Sequence, residues 1–195
     1  MTMAWWNKNT VFTGVLGVVL LAIVLRLLPP FVPDVIQLTL VKNDAAIRTI
    51  DQPRQVAYQR TLWVDQLNFS DRNQLRHPKL GQIGYAEHFF IDIDHTFEVL
   101  QTGTYRFLIG SDDGFSARID GNALCRFDRD RPYRKQTCAV QLEKGEHRFE
   151  MSYFQGGGFA GLTVEYLPQG ADQAYFYGEN SDWMRFKKKP PKNGG

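Results

Sequence analysis

From Glu87 to Leu167 the chain alternates apolar and polar residues in short runs, each closed by turn residues: "HFFIDIDHTFEVL", "TYRFLIG", "FSARIDG", "NALCRF", "KQTCAVQL", "HRFEMSYF" and "LTVEYL". Period-two alternation with Gly, Asp and Asn between the runs is the pattern of half-buried strands, and nothing between them has a helical period. Such spacing predicts an all-β domain, an antiparallel β-sandwich of jelly-roll-like form. The aromatic content of 13% supports it, because aromatic side chains suit a pleated, half-buried surface. Charged residues are 23% with a net charge of +2, which gives no electrostatic reason to expect a nucleic-acid partner.

A second feature bears on compartment. The run "TVFTGVLGVVLLAIVLRLL", residues 10–28, is almost wholly apolar, with Arg26 near its end where a long side chain can reach the interface, and Trp5 and Trp6 precede it. It predicts one N-terminal transmembrane helix acting as a signal anchor. The alternative, a cleaved signal peptide, lacks a small-x-small site before "RLLPPFVP". The chain then divides into a short tail (1–9), the anchor (10–28), a proline-rich juxtamembrane spacer (29–42), the sandwich (43–186) and a basic tail (187–195). Within the spacer, "VIQLTLV" (35–41) alternates like a strand, whereas residues 43–83 have no clear period beyond "RTLWVDQLNF". The segment 170–186 is aromatic but irregular.

"SDDG" places Asp112 and Asp113 side by side where a strand gives way to a turn. One reading is ordinary Asp-Gly turn chemistry. The other is a hard cation, because adjacent carboxylates become useful once calcium supplies the opposite charge. Cys125 and Cys138 flank "DRDRPY"; if that is a hairpin tip, they fall opposite each other and form a disulfide in an oxidising compartment, and otherwise they are two half-buried thiols. Asp92 and Asp94 share one strand face, read as solvent-facing, with Phe90 and Ile93 assigned to the other. Asp128 and Asp130 lack the remaining ligands of an EF-hand loop, and His77, His88, His95 and His147 have neither a nucleophile nor zinc spacing around them. Adjacent carboxylates cannot easily hold the separation of about 5 Å or more that a glycosidase needs, so no enzyme is expected.

Four motifs in order, "TGTYRF", "SDDG" with "IDG", "LEKGEH" and "YFQGGGFAG", resemble the anthrax protective-antigen-type domain, the PA-fourteen domain of surface proteins, toxins and glycosidases. The resemblance runs from Glu87 to Leu167 and implies a β-sandwich. In its carbohydrate-binding members, including yeast flocculins and ice-binding adhesins, paired aspartates joined by a cis peptide hold a calcium ion that ligates sugar hydroxyls. It therefore implies that Asp112 and Asp113 bind metal and ligand, with Gln155 at a position where fungal members carry Asn and the carbonyls of Gly157 and Phe159 completing the set. A tryptophan common after "IDG" in that family is absent; Leu124, Cys125 and Phe127 stand there. The expected function is a membrane-anchored, periplasmic or extracellular, calcium-dependent module with a glycan or polysaccharide partner. The alternative is a structural or protein-interaction module of a cell-envelope complex.

Overall fold

The computed structural model describes residues 8–28 and 31–187, so the terminal tails and the interfacial Trp5 and Trp6 lie largely outside the described residues. Two compact units divide the chain at Phe31 and Val32. The first contains helix α1, Lys8–Leu27, with Arg26 in its last turn. Its side chains are described over 11–26 and all of them are exposed. Among the described residues no helix is long and apolar enough to cross a membrane.

The second unit is all β: β1 (Ile36–Asn43), β2 (Val56–Val64), β3 (Asn68–Phe69), β4 (Arg76–His77), β5 (Gly81–Gln82), β6 (Phe89–Val99), β7 (Gly103–Asp112), β8 (Phe115–Ile119), β9 (Asn122–Phe127), β10 (Arg134–Leu142), β11 (Gly145–Gln155), β12 (Gly161–Pro168), β13 (Tyr175–Phe176) and β14 (Met184–Arg185). They form an antiparallel sheet in the order β2-β1-β6-β11-β8-β9, with β14 also on β6, and a second in the order β10-β7-β12-β13, with β3 on β12; β4 and β5 pair separately. The two larger sheets pack face to face. Phe107 of β7 stacks on Phe149 of β11 with ring centroids 6.2 Å apart, and one continuous core takes residues from both sheets.

Alternation decides what faces inward. On β6, Phe89, Ile91, Ile93, Phe97 and Val99 enter the core. Phe90 lies on the outer face with Asp92 and Asp94, contrary to the expectation that set it opposite them. It is nonetheless buried, because the 44–54 loop covers that face with Ile47 and Ile50, which pack with Val41, Phe90 and Phe154 in a second cluster. Asp92 and Asp94 are engaged by Arg54 and Arg148 respectively.

One boundary differs from the sequence expectation. Residues 36–42 are not spacer: β1 is an inner strand between β2 and β6, and Ile36, Leu38 and Leu40 are fully buried. The irregular segment 170–186 also belongs to the core, for Tyr177 is fully buried and lies 4.6 Å from Phe149 and 4.8 Å from Phe186, centroid to centroid.

Cys125 and Cys138 are joined in a disulfide with Cα atoms 6.0 Å apart. The expected hairpin does not produce it. β9 pairs with β8 and β10 with β7, so the bond links edge strands of opposite sheets.

Candidate functional site at the sheet crossings

The acidic turn does not join neighbouring strands, since β7 and β8 lie in different sheets and the chain crosses between them at Asp113 and Gly114. The connections β9 to β10 and β11 to β12 also cross. Register brings all of them to one end of the sandwich: Asp112 lies opposite Gly161, Ser111 opposite Arg134, Phe115 opposite both Tyr153 and Phe127. Gly114 is demanded by this convergence. A Cβ there would come within 2.6 Å of the Phe127 carbonyl oxygen and of the Phe154 ring.

The peptide bond between Asp112 and Asp113 is cis. Both residues are nearly buried, at 7% and 5% exposure, and Gln155 is fully buried. The neighbouring crossings supply backbone donors to the carboxylates. The Tyr133 N–H donates to Asp112 Oδ2 at 3.1 Å, the Arg131 N–H to Asp113 Oδ1 at 3.2 Å and the Gly156 N–H to Asp113 Oδ2 at 2.8 Å. Ser111 Oγ donates to the Asp113 carbonyl at 2.6 Å and accepts from Arg131 Nη2 at 2.8 Å.

Tyr153 joins the acidic turn to the glycine-rich loop. Its hydroxyl contacts the Asp112 carbonyl and donates to Gln155 Oε1 at 2.6 Å. Gln155 Nε2 in turn donates to the carbonyls of Gly157 at 3.0 Å and Phe159 at 2.6 Å. All five residues expected at the site are thus connected. Gln155, however, presents its N–H2 rather than its oxygen to the two carbonyls. The Phe159 ring is 66% exposed.

Neither aspartate forms an ion pair among the described residues. Burial, followed by the neighbouring Asp113 charge, pushes the Asp112 carboxyl up to about 6, against the opposing Tyr133 N–H and Arg131. Burial also raises Asp113, with Gly156 and Arg131 N–H groups working against it and Asp130 adding to it. Two adjacent buried carboxylates without a cationic partner are the environment a bound cation would relieve. The available donors are all hard oxygens, as calcium requires: two carboxylates, an amide oxygen after rotation of Gln155, and two carbonyls. Among the described residues no group of three or more His, Cys, Asp or Glu side chains could hold a metal, so the neutral oxygens would have to complete the set.

Sequence reasoning did not find Ser111, Arg131, Tyr133 or Tyr153 as parts of this site. Their contacts exist only because the crossings converge, which strand periodicity cannot show.

Comparison with solved structures decides the fold. The PA14 domain of the MpAFP antifreeze protein superposes with a TM-score of 0.59 at 15% identity, covering 77% of this chain and 90% of that one. The chain has the PA14 fold. A PA14 sugar-binding domain from an RTX adhesin gives a TM-score of 0.57 at 15% identity over 74% of this chain and 95% of that one. The Epa9A adhesin domain from Candida glabrata, solved with Galβ1-3GlcNAc, gives 0.51 at 13% identity over 80% and 91%. No family model matches the sequence, and no curated protein matches it either. At these identities the PA14 likeness is one of architecture.

Proposed function

We propose that this PA14-fold domain binds carbohydrate through a calcium ion held by Asp112, Asp113, the amide oxygen of Gln155 and the carbonyls of Gly157 and Phe159. The observation that carries the reading is the buried, unpaired acidic couple, tied through Tyr153 to the loop that bears the remaining oxygens. Similar structures include one described as sugar-binding and one solved with a galactosyl disaccharide. When bound, calcium would supply the positive charge that lets both carboxylates ionise and a centre for sugar hydroxyls. The chain's own part is to hold the carboxylates by backbone N–H groups and to present the exposed Phe159 ring beside the loop. This is a binding module, not an enzyme. In the same proposal, α1 and the apolar run 10–28 anchor the domain outside the cytoplasm.

The test is thermal unfolding with and without millimolar calcium, followed by titration with galactose and glucose. A ligand of the native state raises the melting temperature by mass action. Asp113→Asn should remove most of that rise with the fold intact, and sugar should bind only when calcium is present. An unchanged melting temperature, together with an intact fold in the Asp112→Ala, Asp113→Ala double variant, would count against the reading. It would favour an interaction module instead. A specific feature fits that second role: β2 is an edge strand with Val56 and Tyr58 more than half exposed.

A further inference from the structure

The crossing that clamps the acidic pair has a second side. Its backbone N–H groups at Arg131 and Tyr133 face the carboxylates, while its side chains line an open pocket of about 620 Å3 with Arg131, Pro132, Tyr133, Arg134 and Lys135, closed on one flank by Phe127. Among the described residues no carboxylate lines this pocket. Lys135 is occupied, its ammonium lying 2.6 Å from Glu165. The two arginines form no ion pair among the described residues. Arg131 spends Nη2 on Ser111 Oγ and on the Arg134 carbonyl, and lies flat enough on Phe127 for its central carbon to be 4.2 Å from the ring centroid. Its Nε–H is shielded from solvent and has no acceptor among the described residues. Arg134 enters no ion pair or side-chain hydrogen bond among the described residues.

A buried N–H without an acceptor is costly, and two like charges on one wall repel. An oxyanion screens the two cations and suits the planar guanidinium donor array. The phenol of Tyr133 and the ring of Pro132 add walls that a sugar's C–H surface can meet.

We propose that this pocket binds the carboxylate or sulfate of an acidic sugar, with the guanidinium groups of Arg131 and Arg134 as its cationic donors. The proposal rests on the carbohydrate reading above and narrows it to acidic glycans.

The experiment uses the full chain in detergent with calcium, at fixed ionic strength. Methyl glucuronide is titrated against methyl glucoside, and sodium sulfate is the sugar-free probe, while the Arg131 Nε–H resonance is followed by NMR. The expected result is a preference of about tenfold for the glucuronide, the size of one charge-assisted hydrogen bond. Sulfate should shift the Nε–H signal, and Arg134→Gln should erase both effects while Arg134→Lys restores part of them. Equal binding of the two glycosides with no sulfate shift overturns the pocket and leaves the carbohydrate reading intact. A sulfate shift that depends on Arg134, without binding of either glycoside, keeps the anion pocket and discards the carbohydrate reading. Loss of the preference in high salt but not in Arg134→Gln would overturn the assignment to Arg134.

Discussion

The hydroxyl of Tyr153 holds the side-chain oxygen of Gln155 at 2.6 Å and so turns the amide N–H2 onto the Gly157 and Phe159 carbonyls. The amide therefore satisfies groups that a bound calcium would otherwise attract. Gln155→Ala strips both part-buried carbonyls of their donor and empties a fully buried side-chain site, and should cost about 2 kcal/mol of stability by urea unfolding. The loss should shrink in millimolar calcium if the ion takes over those oxygens. An equal loss in both conditions would assign Gln155 a purely structural role.

Phe159 should separate binding from folding. Its ring is 66% exposed, so Phe159→Ala should change stability by no more than about 0.5 kcal/mol. If the ring packs against a sugar, affinity by calorimetry should fall about fivefold, within the range of an aromatic contact. An unaltered affinity would take the ring out of the binding site.

Acid should weaken the opposite end of the sandwich. His95 stacks on Phe186 at 6.0 Å between centroids and its Nδ1 lies 3.1 Å from the Tyr177 hydroxyl. Burial pushes its imidazole down to about 4, against the Val35 backbone and Asp94, which favour the charged form. The unfolded value is near 6.5, so the native state prefers the neutral ring. The associated stability is present above pH 6.5 and is lost as pH falls through 4, up to about 3 kcal/mol. Melting temperatures between pH 7 and 4 should show the decline, and His95→Phe should flatten it.

The inter-sheet disulfide closes a short loop, with a sequence separation of 13 between Cys125 and Cys138. Reduction and alkylation should lower unfolding free energy by about 2–3 kcal/mol, the loop-closure value for that length. Two freely alkylatable thiols in protein isolated under non-reducing conditions would overturn the bond.

Strands were legible where one face is core and the other is not. β6, β7, β11 and β12 show it in their alternation, and the motifs around Asp112 and Gln155 carried the site. Partner choice was not legible, because periodicity is the same whether β8 lies beside β7 or, as it does, beside β11. That is why the cysteine segment reads as a hairpin. β2 was obscure for another reason: Val56 to Gln59 are all exposed, so the edge strand carries no inward signal over its first half. The two-residue strands β13 and β14 are too short to show any period, although Tyr177 and Phe186 beside them are core residues. Tyr133 and Arg131 reach the acidic pair through backbone N–H groups, and a backbone donor has no residue code.

Strand β6 receives β1 along its first half, with Leu38 opposite Ile93, and β14 at its far end, with Met184 opposite Val99. Both ends of the domain are therefore fastened to the same strand. Tension between a tether before Ile36 and a load beyond Arg185 would enter and leave through β6, and the two residue pairs of β14 would yield before the longer β1 pairing. The crossing that carries Asp112 and Asp113 leaves the other sheet and lies off that path. A grip formed there could be pulled on without first being pried open.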